Sequence, residues 1–275
     1  MAAPRFFHSP LPLVGDVTLC EAEARHASNV LRLSVGAQVV LFDGLGGEAS
    51  GTIATVHKRS VTVQLTARTD SDRELVQPLE LVVALPKGDR QKTLVDGLVQ
   101  LGVTRLTPLV CQRGVAQPSA AALERLERSV VESSKQCGRN RLMCISPPQT
   151  IAQVTQASAE PLSTLSLFAH PYGAATSISE ATTDLRSQIT AARMAVGPEG
   201  GFSDAETSQW LEAGWQCIEL GRRFCESKSP RCKWPLGGRV WQKSSSFSPS
   251  AAQNTGSQEQ NNLLRLGRTV SPGYL

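Results

Sequence analysis

The sequence has few of the features that mark membrane, secreted or zinc-binding proteins. No apolar run approaches the roughly 20 residues that a membrane-spanning helix needs, and the first twelve residues contain no continuous apolar core of the signal-peptide kind. None of the seven cysteines forms a Cys-x-x-Cys pair, and the four histidines lie far apart. We therefore expect a cytoplasmic protein with reduced structural thiols, no membrane segment and no metal.

Two common nucleotide-binding loops are also absent. The chain contains neither Gly-x4-Gly-Lys-Ser/Thr nor Gly-x-Gly-x-x-Gly. Its 275 residues, 40% hydrophobic and 19% charged, have the composition of a globular protein with room for two domains. The net charge of +4 is unevenly placed, since nine of the 28 Lys/Arg but only two of the 24 Asp/Glu lie beyond Gly221. Any nucleic-acid surface in the rest of the chain must therefore come from local clusters.

The first part of the chain, residues 1–72, has the pattern of a small β-rich domain. Short β-branched runs separated by turn residues predict three strands, and the apolar spacing of residues 21–33 predicts one helix. The strands are predicted at residues 39–42, 51–56 and 60–65. Residues 70–74 are polar and predict a hinge.

The second part has the pattern of an α/β domain. The continuous apolar run at residues 79–85 predicts a buried parallel strand, followed by an amphipathic helix at 91–101 and a second strand at 103–110. Such a β-α-β unit predicts a parallel sheet. A long helix is expected at 120–136, ending at Gly138, and further strands at 165–169 and 216–220.

A glycine-rich loop stands between an apolar strand and a helix start at residues 194–206. Gly197, Gly200 and Gly201 allow positive φ and close approach of a ligand to the backbone, and Pro198 stiffens the loop. Ser203 or Asp204 can cap the next helix. From these residues alone, a ligand-binding shelf and a plain chain reversal are equally good interpretations.

The whole string Gly-Pro-Glu-Gly-Gly-Phe-Ser-x-x-Glu at residues 197–206 closely resembles the S-adenosylmethionine loop of the 16S rRNA (uracil-N3)-methyltransferases, a family of the knotted SPOUT class. Further segments are similar to that family: Arg5-Phe6-Phe7, the His-x-x-x-Val-Leu-Arg pattern at 26–32, Lys-Gly-Asp-Arg at 87–90, the Glu-Ala-x-x-Gln-x-x-Arg pattern at 132–139 with Ser133 in place of Ala, and Leu-Gly-x-Arg at 220–223. The resemblance covers about residues 5–223. It implies a PUA-like RNA-binding β-barrel at 1–72 and a SPOUT-type α/β trefoil-knot methyltransferase domain at 73–223.

The resemblance also implies an activity and its residues. The expected reaction is methylation of N3 of a uridine in 16S rRNA of the 30S subunit, with S-adenosylmethionine as cofactor and a homodimer as the working form. The implied cofactor-binding residues are Gly197, Pro198, Glu199, Gly200, Gly201, Leu220 and Gly221. The implied RNA-binding residues are Arg5, Arg32, Lys87, Arg90 and Arg139, of which Arg90 and Arg139 are also the catalytic candidates.

Other interpretations of these residues stay open. Lys87 and Arg90 are equally typical of exposed solubilising charges, and Arg139 follows a helix end, where a cation favours the dipole. A non-catalytic RNA-binding protein with a defective cofactor pocket is the main alternative function. A nucleotide-using α/β enzyme unrelated to RNA is the third.

The resemblance stops at Arg223. Where the family has Ile-Leu-Arg-x-Glu-Thr-Ala and an alanine-rich helix, this chain has Phe-Cys-Glu-Ser-Lys at 224–228 and then a polar stretch rich in Ser, Pro and Gln. Such composition predicts a disordered basic tail at 224–275. Residues 224–228 can be encoded by the codons TTC TGC GAG TCG AAA, and reading such codons from their third base gives Leu-Arg-Val-Glu. We therefore hypothesise a frameshift near Arg223, which leaves the knot incomplete.

Overall fold

The computed structural model describes residues 3–57, 59–70, 73–116, 118–156, 163–170, 176–177 and 189–219. The predicted cofactor residues Leu220 and Gly221 and the predicted tail at 224–275 lie outside the described residues. In the described part, no helix is long and apolar enough to cross a membrane. Its backbone forms two sheets, one in each half of the chain.

The N-terminal sheet has the strand order β1-β3-β4-β5-β2 in the described residues. Its strands are β1 (Arg5–Phe7), β2 (Gly15–Thr18), β3 (Gln38–Phe42), β4 (Gly47–His57) and β5 (Ser60–Asp70). All pairs are antiparallel except β1 with β3. Alternate residues along these strands, such as Val39 and Leu41 or Val61 and Val63, are buried in one apolar core. The predicted β-rich architecture of this half is confirmed.

The predicted helix of this half is shorter than expected. Helix α1 (Glu21–Arg25) continues as a π-helical turn at His26–Val30. It ends there because Arg32 takes a left-handed conformation, with φ at 51°. Within the turn the His26 ring packs edge-on against Phe6, with centroids 6.2 Å apart.

The second sheet has the strand order β11-β13-β10-β12-β6-β7-β8, and β9 also pairs with β7. The strands are β6 (Leu79–Val83), β7 (Arg105–Val110), β8 (Cys144–Ile145), β9 (Gln149–Thr150), β10 (Thr164–Ala169), β11 (Thr176–Ser177), β12 (Ala191–Val196) and β13 (Gln216–Glu219). Every pair is parallel. The helices are α2 (Arg90–Gln100), α3 (Ala120–Cys137), α4 (Ile151–Gln156) and α5 (Asp204–Glu212). The predicted α/β class is confirmed.

Each face of this sheet has its own apolar core. Helices α2 and α3 cover one face through residues such as Leu94, Leu98 and Leu126. On the opposite face the rings of Trp210 and Trp215 lie 4.5 Å apart and are buried. These two tryptophans pack α5 and the start of β13 against the other strands of the sheet.

Candidate active site

The glycine-rich loop lies at the point where the strand order of the parallel sheet reverses. From β6 the chain moves to β7 and β8 on one side and then returns to β10 on the other, and β12 fills the gap between β6 and β10. The carboxyl ends of parallel strands at such a switch point form the crevice in which open α/β sheets bind ligands. Residues 197–203 directly follow β12 and therefore lie at this crevice.

The shape of the loop requires its glycines at two positions. Gly201 has φ at 68°, and its N–H donates to the Pro198 carbonyl oxygen over 2.8 Å. A Cβ at Gly197 would lie 3.3 Å from the ring of Phe202, which is itself buried. The loop is thus a tight turn of peptide groups anchored on its inner side by one aromatic ring.

A capping box closes the loop and starts α5. The Ser203 Oγ accepts from the Glu206 N–H over 3.4 Å, and the Glu206 Oε2 accepts from the Ser203 N–H over 2.8 Å. The other carboxylate oxygen of Glu206 accepts from the N–H of Gln112 over 2.6 Å. The predicted cap is present, and it also ties the loop to the segment after β7.

Two arginines contact the loop, one from the start of α2 and one from the segment that follows β7. The Nη1 of Arg113 donates to the Gly200 carbonyl oxygen over 2.8 Å. The Nη1 of Arg90 lies 2.9 Å from the Glu199 Oε1, and both side chains of this pair are 45% exposed. An ion pair with that exposure contributes only about 0–1 kcal/mol. Arg90, predicted as a site residue, therefore lies beside the predicted cofactor loop.

Comparison with known proteins agrees with this geometry. The sequence profile described as the RNA methyltransferase domain matches residues 73–225, more than half of the chain. The chain belongs to the RNA methyltransferase family. A second profile, the RNA methyltransferase PUA domain, matches residues 19–66. The predicted combination of a PUA-like domain with a SPOUT-type methyltransferase domain is thereby confirmed as a fold class, and the segment expected to close the knot lies outside the described residues.

The relatives of this RNA methyltransferase carry consistent names. A protein of Synechocystis sp. named ribosomal RNA small subunit methyltransferase E is 32% identical over 213 residues, which cover 76% of this chain and 67% of the relative. The Neisseria gonorrhoeae ribosomal RNA small subunit methyltransferase E, solved bound to S-adenosyl methionine, has a TM-score of 0.75 at 27% identity and covers 86% and 94% of the two chains. A Legionella pneumophila protein described as a methyltransferase in complex with SAM has the same TM-score at 26% identity, covering 82% and 92%.

Arg139 of the methyltransferase is buried, and its guanidinium donates hydrogen bonds to a carboxylate and to backbone carbonyls. Its Nε donates to both carboxylate oxygens of Glu74, and its Nη1 donates to the carbonyl oxygens of Val99 and Val103 over 3.3 and 2.8 Å. These contacts join the segment that follows the N-terminal domain to the end of α2. They favour a structural role, and catalysis or RNA binding by Arg139 stays a prediction.

Arg5 is likewise paired inside the protein. Its Nη1 lies 3.1 Å from the Glu48 Oε2, its Nη2 contacts the Asn140 side-chain oxygen, and its guanidinium lies over the Phe42 ring at 5.2 Å. Because Asn140 belongs to the second half of the chain, these contacts join the two halves. The geometry favours that role over a phosphate contact, which stays a prediction.

Arg32 and Lys87 are placed differently. Both are exposed, and among the described residues neither has a hydrogen-bond or ion-pair partner. Arg32 lies just after the π-helical turn, and Lys87 lies between β6 and the start of α2 at Arg90. They remain available for a polyanionic partner.

Cys111 precedes the Gln112 amide that donates to Glu206, and its thiol is not activated as a nucleophile. Burial, followed by the nearby charge of Glu206, raises the pKa of the Cys111 thiol to about 11. At neutral pH such a thiol is protonated. Among the described residues, no group of three or more potential ligands could hold a metal ion.

Two residues next to the loop were missed by the sequence interpretation. Gln112 and Arg113 lie just beyond the carboxyl end of β7, on the same edge of the sheet as the glycine loop. Like Lys87 and Arg90, this segment comes after an apolar run predicted as a strand, and open α/β sheets bind ligands where strands end. A usable signal was therefore present.

Proposed function

We propose that this protein transfers a methyl group from S-adenosylmethionine to N3 of a uridine in 16S rRNA of the small ribosomal subunit. The observation that carries the proposal is the capped glycine loop at residues 197–206, located at the switch point of the parallel sheet in a chain of the RNA methyltransferase family. The names of its relatives, and the cofactor bound in the Neisseria structure, support both the substrate and the cofactor.

The residues present fit the cofactor. The loop offers backbone peptide groups, and a side chain at Gly197 or Gly201 would meet either the Phe202 ring or a strained φ. When bound, S-adenosylmethionine supplies an electrophilic methyl carbon, and its thioether is the leaving group. We propose that Gly197, Pro198, Glu199, Gly200 and Gly201 hold it, and that Leu220 and Gly221 complete the pocket.

The remaining catalytic task falls to positioning and charge. Holding the uracil N3 in line with the methyl carbon can lower the barrier by up to about 7–11 kcal/mol. A cation beside the uracil stabilises the anion left when the N3 proton is lost. Arg90 is the preferred candidate, because it already lies beside the loop through its 2.9 Å contact with Glu199.

The domain roles and partners follow from the same proposal. Residues 1–72 form the RNA-docking domain and 73–223 the methyltransferase domain, with 224–275 as a basic tail. Arg32, Lys87 and Arg90 contact the rRNA backbone. The 30S subunit is the substrate particle, a homodimer is the working form, and the cytoplasm is the compartment.

Two measurements on the full chain test this function. Calorimetry with S-adenosylmethionine should detect binding, and incubation with 30S subunits lacking the modification should place one methyl group on a uridine N3, located by reverse-transcription stops. A Gly201→Val chain is the matched control and should do neither. The competing non-catalytic function predicts the opposite pattern, with 16S rRNA bound but no cofactor binding and no methyl transfer. The family match favours the catalytic one.

A further inference from the structure

One buried carboxylate connects two loops of the site. Glu206 is buried, with 8% of the residue exposed. Its Oε2 accepts from the Ser203 N–H over 2.8 Å and lies 3.1 Å from the Ser203 Oγ, and its Oε1 accepts from the Gln112 N–H over 2.6 Å. The Gln112 amide lies 94 residues from Glu206 in sequence, and the Ser203 amide lies 3 residues from it. A capping box alone would need only the contacts with Ser203.

The chemistry of this position is specific to a carboxylate. Both amides are donors, so both oxygens of Glu206 must accept. A glutamine of the same shape would turn an NH2 group towards one of the two N–H groups and lose that link. In the part of the chain that the structure describes, no lysine or arginine forms an ion pair with Glu206. The buried charge is therefore held by amides and a hydroxyl at the positive end of α5.

Arg113 makes a second connection between the same two segments. Its Nη1 donates to the carbonyl oxygens of Gly200 and Phe202 over 2.8 and 3.5 Å. A Cβ built on Gly200 would lie 3.4 Å from the Arg113 Cδ, so the aliphatic stem of the arginine also covers this glycine. Unlike Glu206, Arg113 is exposed, and its loss leaves no buried charge.

We propose that Glu206 and Arg113 are positioning residues for cofactor binding. They hold the loop at residues 197–203 in its binding shape by fastening it to the segment Cys111–Gly114 after β7. The cofactor loop is thus supported from a strand two places away in the sheet, across β6. The inference rests on the proposed function, because it assigns the loop to S-adenosylmethionine.

The test uses four variants of the full chain. Glu206→Gln removes one link without changing shape, and Glu212→Gln on the exposed side of the same helix is its control. Arg113→Ala removes the second link, and Arg113→Lys retains a donor that can reach the Gly200 oxygen. Hydrogen exchange of the Ser203 and Gln112 amides reports loop order directly, because both donate to Glu206. Calorimetry reports the affinity for S-adenosylmethionine.

Glu206→Gln should speed exchange at Ser203 and Gln112 and weaken cofactor affinity roughly ten- to a hundredfold, the worth of one hydrogen bond to a charged group. Arg113→Ala should weaken affinity by a smaller factor that Arg113→Lys partly restores. At saturating cofactor, kcat should return towards that of the parent chain, and affinity for 16S rRNA should not change.

Two results would overturn the inference. One is unchanged cofactor affinity in both Glu206→Gln and Arg113→Ala, and the other is an equal loss in Glu212→Gln. Should Glu206→Gln fail to fold, the exposed Arg113 variants decide alone. A parent chain that binds no S-adenosylmethionine contradicts the proposed function instead. In that case faster exchange at Ser203 and Gln112 in Glu206→Gln still supports the claim that Glu206 orders the loop. Unchanged exchange in that variant overturns the claim.

Discussion

Replacing Arg139 by methionine should cost stability rather than chemistry. The side chain of Arg139 is 6% exposed and that of Glu74 is 11% exposed. The guanidinium also donates to the carbonyl oxygens of Val99, Gly102 and Val103. Methionine fills a similar volume without a charge, so the change leaves the Glu74 carboxylate without this cation and three carbonyl groups without this donor.

The expected loss can be worked out from these contacts. Removing one partner of a buried ion pair costs about 3–5 kcal/mol, because the other charge stays in a poorly solvated site. For a chain of this size, 1 kcal/mol lowers the melting temperature by about 2–4 °C. Arg139→Met should therefore melt roughly 6–20 °C below the parent chain.

Circular dichroism melts and urea titrations measure this loss. The double variant Glu74→Met/Arg139→Met should recover most of it, because replacing a whole buried pair by apolar side chains is close to neutral. Arg128→Met, on the exposed side of α3, serves as the matched control and should melt like the parent. A parent-like melting temperature for Arg139→Met, combined with lost methyl transfer and retained cofactor binding, would refute the structural role and make Arg139 catalytic.

Four further predictions have simpler tests. Gly201→Val should abolish cofactor binding in calorimetry while the chain stays folded, because a β-branched residue cannot easily take φ at 68° and the loop changes its shape. Arg32→Ala should weaken binding of a 16S rRNA fragment and reduce its salt dependence by about one phosphate contact. Burial raises the pKa of Glu48, but hydrogen bonds from Arg5 and two other residues outweigh this and hold its pKa below the ordinary value. The stability that Glu48 contributes is therefore present above its ordinary pKa and lost as pH falls, and Glu48→Gln should flatten the acid side of a urea-stability profile. The chain as printed should be poorly soluble and methylate 30S subunits slowly, whereas a chain with residues after Arg223 read in the alternative frame should dimerise in light scattering and methylate them faster.

The fold of the described residues was largely predictable because its signals are local. Unbroken apolar runs predicted the buried parallel strands, and Gly138, with φ at 76°, ends α3 where a helix C-cap was expected. The glycine loop was recognisable because its glycines, its proline and its capping serine each have a conformational role that depends only on neighbouring residues. The end of α1 was missed because the left-handed conformation of Arg32 depends on how the turn packs, and the apolar spacing continues past it.

The roles of the arginines were less predictable because a guanidinium pairs with whatever the fold brings near. Arg5 and Arg139 find their carboxylates 43 and 65 residues away. Nothing within a few residues of either one indicates such a partner. A basic residue beside a helix end or a first strand is equally compatible with a phosphate contact and with an internal ion pair.

The described structure separates these cations into two groups by burial. One group is mostly buried and forms ion pairs with carboxylates: Arg5, Arg139 and Lys135, the last of which pairs with Glu23. These ion pairs join separate segments of the protein. Arg32 and Lys87 are exposed, one on each half of the chain. Because phosphate binding gains its free energy from releasing counterions, a cation already neutralised inside the protein contributes little to it. The RNA surface should therefore include the exposed cations Arg32 and Lys87, and Lys87 follows β6 at the edge of the sheet that carries the glycine loop.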